Sequence, residues 1–323
     1  MTNTGKTVDV VMCTYNGEKF LREQLDSIVG QTYPIHRLIV QDDGSTDSTV
    51  EIVREYAARH PFIELYVNGR NLGFNLNFKT AVMRATADFV AIADQDDVWF
   101  ADKIERQVSQ IGDHNICFAA HLRGASLNAA RKVEPQYSLK ALLFGGFAGH
   151  TMLLRRTFAQ REEAWAGAVI YDWSLAVSAY FCGTEPITYI SDPLNWHRSH
   201  DGEAALLLHQ TRAARLGAAA GGALAPYLHG LRHYRRLQGL DKWRRFYTFI
   251  YSNTDRKKYR TEHTMTRCLL SPGLLPLLRL CLICMRHRRD TYPAAASARG
   301  VMGLLRGFFL PLIFAYNNTE FDD

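Results

Sequence analysis

Asp88-Phe89-Val90-Ala91-Ile92-Ala93-Asp94-Gln95-Asp96-Asp97-Val98-Trp99 is the stretch on which the fold turns. Its apolar run, Phe89 to Ala93, predicts a buried strand, since a strand covered on both faces reads as a continuous apolar segment. The run stops at three carboxylates within four residues, Asp94, Asp96 and Asp97. Like charges this close repel and raise each other's pKa unless a cation lies among them. Hard divalent ions favour carboxylate oxygens and are usually held by one or two of them together with phosphates. A strand that ends in Asp-x-Asp therefore points to a metal–diphosphate site at the carboxyl end of a sheet. The competing reading is an acidic turn before the amphipathic helix that opens at Asp102 and Lys103.

Upstream, strand and helix alternate with short links. Val8 to Met12 predicts a strand, and Cys13-Thr14-Tyr15-Asn16-Gly17 a turn. Glu18 to Val29 carries apolar residues at helical spacing. Arg37 to Val40 predicts the next strand, followed by Gln41-Asp42-Asp43-Gly44-Ser45-Thr46-Asp47, where Ser45 or Thr46 is expected to cap a helix from Ser48 to Arg59. Ile63 to Val67 is a third strand and Asn75 to Arg84 a third helix. This alternation predicts a parallel sheet covered by helices, with ligands beyond the carboxyl ends of its strands. Three polar clusters fall at those ends: Cys13–Asn16, Asp42–Asp43 and Asp94–Asp97. No Gly-x-Gly-x-x-Gly follows the first strand and no Walker lysine is present, which disfavours ordinary dinucleotide and P-loop sites.

The 323 residues suffice for two domains, and 47% hydrophobic with 22% charged residues is ordinary for a globular chain. The net charge of +6 is unevenly spread. Residues 1–204 hold 19 Lys+Arg against 25 Asp+Glu, whereas residues 205–323 hold 19 against 7. A basic tail suggests an anionic partner, a membrane surface or nucleic acid. The six cysteines show no zinc spacing, and Cys281-Leu-Ile-Cys284 lies in an apolar helical run, where packing is the expected role. Met1 to Val8 has no apolar core of signal-peptide length, so a cytoplasmic location is expected.

The segments Val11–Glu18, Gln41–Asp47, Asn71-Leu72-Gly73-Phe74 and Ala93–Trp99 together resemble glycosyltransferase family 2, inverting enzymes of GT-A fold. The Asp-Gln-Asp-Asp-Val-Trp form is most similar to the bacterial rhamnosyltransferase branch, which builds O-antigen and other surface polysaccharides. The resemblance covers residues 7–205. It implies an α/β GT-A fold, a Rossmann-like, mostly parallel mixed sheet with flanking helices, followed by a mainly helical C-terminal region. The expected division is 1–110 for the nucleotide-sugar half, 111–205 for the acceptor half and 206–323 for the helical basic region. The resemblance places Cys13 and Tyr15 at the base and ribose, and Asp43, with Asp42 beside it, as acceptor for a pyrimidine N3–H. Such an acceptor suits uracil or thymine and disfavours cytosine. It also implies Asp94 on the ribose side, Asp96 and Asp97 on Mg²⁺ or Mn²⁺, and Lys79 and Arg70 near the diphosphate.

In the second half, Gly149 and His150 lie in the stretch Phe144 to Met152, which similar enzymes place under the donor sugar. Asp172, in Tyr171-Asp172-Trp173, stands where the family has its general base, commonly after His or Glu rather than Tyr; Trp173 is assigned to the sugar site beside it. Pro193-Leu194-Asn195-Trp196-His197-Arg198-Ser199-His200-Asp201-Gly202 resembles the family's Tyr-Arg-x-His loop, with His197 where Tyr is commoner, so Arg198 and His200 are expected on the diphosphate, with Gly202 allowing closure. The implied donor is dTDP-β-L-rhamnose, or a UDP-hexose as the alternative, and the implied acceptor a lipid-linked glycan.

Beyond residue 205 the runs Cys268 to Met285 and Val301 to Tyr316 are apolar but interrupted by Pro, Gly and Arg, and each is shorter than the roughly 20 residues a spanning helix needs. Flanked by Arg286-His287-Arg288-Arg289, they predict helices lying on an anionic membrane surface, against the alternative of a packed helical bundle. The tail has no recognisable nucleic-acid module. A non-catalytic family member is disfavoured by the presence of Asp43, Asp94, Asp96 and Asp172.

Overall fold

The structure, a computed structural model, describes residues 5–165, 169–183, 185–200, 225–292 and 298–319. In chain order the elements are β1 (Val8–Thr14), α1 (Leu21–Val29), β2 (Arg37–Asp42), α2 (Thr49–Arg59), β3 (Ile63–Val67), α3 (Phe74–Met83), β4 (Phe89–Ala93), β5 (Val98–Trp99) and α4 (Lys103–Ile111). There follow β6 (Ile116–Gly124), β7 (Arg131–Val133), α5 (Leu139–Leu142), β8 (Met152–Arg155), α6 (Arg156–Ala159), α7 (Tyr171–Ala179) and β9 (Ile187–Arg198). The later helices are α8 (Ala225–Gly239), α9 (Asp241–Asn253), α10 (Arg260–Leu270), α11 (Leu274–Arg286), α12 (Arg288–Thr291) and α13 (Gly300–Asn318).

Among the described residues the strands form one sheet in the order β3-β2-β1-β4-β8-β6-β9-β5, with β7 on β6. The first four are parallel, as the alternating pattern predicts. β8 then runs antiparallel between β4 and β6, and β9 is parallel to β6. The stretch 111–199 thus extends the sheet begun by residues 8–93. β1 and β4 are buried along both faces, which explains their apolar sequences. The exception, Asp9, is buried but satisfied: it accepts from the amides of Thr86 (2.7 Å) and Ala87 (3.0 Å) and pairs with His36 and Arg37. Burial works to raise its carboxyl, yet these partners outweigh it and hold the pKa low.

Two compact units are distinguished. The first comprises residues 1–134, 147–166 and 170–199; the second comprises 135–146, 167–169 and 200–323. The expected boundary at 205/206, and the Gly202 hinge, lie outside the described residues. Within the second unit the helices surround an aromatic core in which Trp243 meets Phe246, Tyr247 and Phe314. Tyr247 Oη donates to the Leu143 carbonyl (3.0 Å), and Lys140 pairs with Glu262 (3.0 Å), so the short α5 belongs to this unit.

Candidate active site

The turn after β1 is built for close approach to the turn after β4. Asn16 takes a left-handed φ of 48°, which Asn tolerates. Its side chain accepts from the Thr46 amide (2.9 Å) while its amide donates to Ser45 Oγ (2.9 Å). Gln95 grips the backbone of Tyr15 twice, accepting from its N–H (2.9 Å) and donating to its carbonyl (3.1 Å). A Cβ at Gly17 would stand 2.2 Å from Gln95 Oε1, so any larger residue there would push the Gln95 amide out of its clamp. The clamp leaves the Tyr15 ring half exposed at the edge of the sheet, where a base could stack on it.

Asp42 and Asp43 have different work. Asp42 is fully buried and braces its own turn, accepting from the amides of Gly44 (3.1 Å) and Ser45 (2.9 Å), from Ser45 Oγ and from Thr14 Oγ1 (2.9 Å). Ser45 is thereby unavailable as a helix cap. The helix begins after Ser48, and its first amide, Thr49 N–H, donates to Asp47 Oδ1 (3.0 Å). Asp43 fastens the 71–73 loop: Oδ1 accepts from Leu72 N–H (2.7 Å) and Asn68 Nδ2 (2.8 Å), and Oδ2 from Gly73 N–H (2.9 Å). With one of these donors on Oδ2, that oxygen has a further lone pair for a pyrimidine N–H. Lys79 pairs with Glu162 (2.5 Å), and Arg70 is exposed on its loop.

The carboxylates of the decisive turn gather with Asp172. Burial lifts the Asp94 carboxyl well above the ordinary range; the charges of Asp97, Asp96 and Asp172 add to the lift and His197 opposes it. Cys13 lies in the same field, its thiol pushed well up by burial and then by Asp94 and Asp43. Asp172, in the first turn of α7, receives N–H bonds from Trp173 (2.7 Å) and Gly149 (3.2 Å). Burial nevertheless raises its pKa to about 6, the two amides opposing. Tyr171, which stands in the place of the expected His or Glu, stacks on Phe78 at 4.3 Å. A Cβ at Gly149 would meet Tyr171 Oη at 2.1 Å, so Gly149 is where the chain passes over this ring. Gly149→Ala is expected to displace Tyr171 and the Gly149 N–H···Asp172 bond together, lowering kcat roughly tenfold or more through misplacement of the carboxylate. Steady-state kinetics beside a thermal melt would separate this from unfolding. Trp173 itself is buried.

Asp97 points into the protein. It is fully buried, with Oδ1 2.9 Å from His197 Nδ1, and Oδ2 3.0 Å from His150 Nδ1 and 3.1 Å from Asn195 Nδ2. The His150 and His197 rings stack at 4.9 Å, and His121 meets His150 edge-on at 4.9 Å. Burial pushes His150 well below its ordinary pKa and His121 down to about 3, so both are neutral near pH 7. The ligand atoms of Asp97, His150 and His197 all lie within 4.8 Å of one another. The hydrogen bonding here is incomplete. His150 Nδ1 touches a carboxylate oxygen on one side and, at 2.8 Å, the Asn195 amide nitrogen on the other, which no single imidazole tautomer satisfies. Asn195 Oδ1 and His121 Nδ1 are buried without a partner. A cation fits this set, and two imidazoles beside a carboxylate favour Mn²⁺ and later first-row ions over Mg²⁺.

Beneath it, Lys103 is fully buried, donating to Gln107 Oε1 (3.0 Å) with its ammonium over Trp99; burial lowers its pKa to about 7. Arg198 donates to the Asp96 carbonyl (3.3 Å), lies over the Trp196 and Phe20 rings and pairs with Glu23, so the guanidinium sits against the Asp-x-Asp turn. His200 begins the second unit. His121, Asn195, Gln95 and Lys103 were not singled out from the sequence. A faint signal existed in Asn195-Trp196-His197, three polar or aromatic residues next to a basic loop.

Residues 9–161 match the family model described as glycosyl transferase family 2. The dTDP-rhamnosyl transferase RfbG of Shigella flexneri is 32% identical over 228 residues, covering 64% of this chain and 78% of that protein. The putative glycosyltransferase EpsE of Bacillus subtilis is 37% identical over 113 residues, 35% of this chain and 41% of EpsE, so the match spans under half of that relative. Among solved structures, the mannosyltransferase PcManGT of Pyrobaculum calidifontis, in complex with GDP-Man and Mn²⁺, superposes with a TM-score of 0.52 at 16% identity, covering 97% of this chain and 86% of that one. That likeness is one of fold, a GT-A arrangement of mixed sheet and flanking helices. With the ordered motifs on one sheet edge and RfbG matched over most of its length, the chain belongs to glycosyl transferase family 2.

Proposed function

We propose that the chain is an inverting glycosyltransferase that moves L-rhamnose from dTDP-β-L-rhamnose to a hydroxyl of a lipid-linked saccharide at the inner face of the cell membrane, in surface-polysaccharide synthesis. The observation that carries the reading is the convergence of Asp172 with the Asp94–Asp97 turn, each within electrostatic reach of the other. Inversion is a single displacement: the acceptor oxygen bonds to the anomeric carbon as the bond to the diphosphate breaks, the pair leaving with the nucleotide, and the acceptor proton passes to one base. Asp172 is placed to take that proton. Asp43 Oδ2 and the Tyr15 ring would hold the pyrimidine, and Asp94 the ribose. Arg198, fixed against the Asp96 carbonyl, would face the diphosphate. A divalent ion held by Asp96, with Asp97 and its histidines behind it, would supply charge neutralisation at the leaving diphosphate when bound.

The rhamnose donor is supported by the likeness to RfbG alone. Calorimetric titration with dTDP and with UDP, each with Mn²⁺, tests it. Tighter dTDP binding is expected of a chain whose donor is a dTDP-sugar. Tighter UDP binding would move the donor to a UDP-hexose and leave the chemistry unchanged, while binding of neither would sink the enzyme reading.

A further inference from the structure

α11 is apolar on more of its surface than its packing explains. Leu277, Leu280, Cys281 and Cys284 form its buried stripe. Leu274, Leu275, Leu278 and Leu282 form a second stripe beside it, exposed by 61%, 81%, 48% and 46%. A helix on the surface of a soluble protein normally carries polar residues there. Arg279 and Arg286, both exposed, border that stripe on its far side. α13 packs closely on α11: a Cβ at Gly307 would stand 3.0 Å from Met285 Cα and 3.1 Å from the Cys284 carbonyl oxygen. Its first turns add Val301, Met302 and Leu305, exposed by 71%, 58% and 45%. Large exposed apolar patches mark interaction surfaces.

We propose that the outer face of α11 and the first turns of α13 form a seat for an anionic lipid leaflet, the leucines entering the interface and the bordering arginines meeting phosphate headgroups. Charge selects this occupant. Residues 263–319 carry seven arginines and one acid, Asp290, which pairs with Lys140 and His287. A second copy docked face to face would set these arginines against their own counterparts, as a twofold contact must. The seat is peripheral. Among the described residues α13 is the one helix long and apolar enough to cross a bilayer. Its second half, however, is engaged: Phe314 packs on Trp243 and Phe144, and Tyr316 and Thr319 on His233. Crossing would strip those contacts. As a route to the substrate, the seat rests on the lipid-linked acceptor proposed above; as a surface, it stands on exposure and charge alone.

Co-sedimentation of the full chain with vesicles of phosphatidylcholine, with and without 30 mol% phosphatidylglycerol, tests it at about 0.15 M salt, where surface charge is only partly screened. Binding to the anionic vesicles is expected, weakened by added salt and released by alkaline carbonate. Leu275→Glu with Leu282→Glu should lower that binding at least about tenfold. Arg279→Ala with Arg286→Ala should lower it roughly fivefold per arginine on anionic vesicles only. These side chains face solvent, so melting temperature and dTDP affinity should not move. The proposal is overturned if the wild type stays in the supernatant, if the leucine variant binds as well as wild type, if carbonate fails to release the protein, or if the leucine variant instead splits a dimer seen by gel filtration. A wrong donor assignment would appear in the nucleotide titration and leave vesicle binding intact.

Discussion

Asp172→Asn is expected to reduce kcat by about 10²–10⁴-fold while leaving donor-nucleotide affinity near the wild-type value. The amide keeps the shape of the carboxylate and can still accept from Trp173 N–H, but it cannot take a proton. Because burial holds Asp172 at about 6, well above its ordinary 3.8, the wild-type rate should rise with pH through about 6 and level off above it. The residual rate of the variant should lack that limb. Stability should move the other way. A carboxyl whose folded pKa exceeds its unfolded value favours the fold below pH 3.8 and loses that contribution as pH rises through about 6. At pH 7 the wild type therefore carries a buried charge that the variant does not, and the variant should be the more stable by up to about 3 kcal/mol. That figure is an upper bound, since the side chain keeps some contact with solvent. Below about pH 4 the two proteins should melt alike. An unchanged rate, or a pH profile shared by both proteins, would remove Asp172 from the role of base.

The parallel half of the sheet was legible because each of its strands ends in a polar turn with its own signature. β4 illustrates this: five buried apolar residues and then Asp94. β6 and β9 were not. β6 reads Ile-Cys-Phe-Ala-Ala-His-Leu-Arg-Gly, with small and basic residues that suit a helix as well as a strand. β9 contains Asp192 and Pro193, which read as loop. The structure accommodates them at an irregularity opposite Ala119 and Ala120, where the ladder shifts register and a missing N–H costs little. The histidine cluster was hidden for the same reason. His121, His150 and His197 are far apart in the chain and meet only because β6 lies between β8 and β9, an order that no local pattern encodes. Lys103 departs from its local pattern. At the head of an amphipathic helix a lysine is expected in water, yet here the ammonium is buried beneath Asp97, against Gln107 and Trp99. Asp42 and Asp43 are adjacent and chemically identical; no local pattern tells which braces its own turn and which fastens the 71–73 loop, and the amides each one receives decide it.

Asp96→Asn should abolish the strengthening of dTDP binding by Mn²⁺ and lower kcat/KM by at least about 100-fold, since a neutral amide is a far weaker ligand than a carboxylate and leaves the diphosphate charge unopposed. The substitution keeps the bond by which Arg198 grips the turn, since Arg198 donates to the Asp96 carbonyl. The neighbouring carboxylate supplies the control. Asp97→Asn keeps one acceptor oxygen and turns the other into an NH2 donor, at a buried side chain whose two oxygens serve His150, His197 and Asn195. It should therefore cost stability, on the order of 1–3 kcal/mol for a buried polar group left without its partner. Calorimetry of dTDP with and without Mn²⁺, beside thermal melts of both variants, reads the two effects separately. Loss of the metal effect with an intact melt in Asp96→Asn alone would make Asp97 an internal tether that aims the Asp-x-Asp turn. Loss of the metal effect in both, with His197→Gln following Asp97→Asn, would place the imidazoles on the ion and explain why Asn195 Oδ1 is buried with nothing to accept. Retention of the metal effect in Asp96→Asn would show that the turn after β4 is not where the ion binds, and would leave its carboxylates without the cation that their spacing calls for.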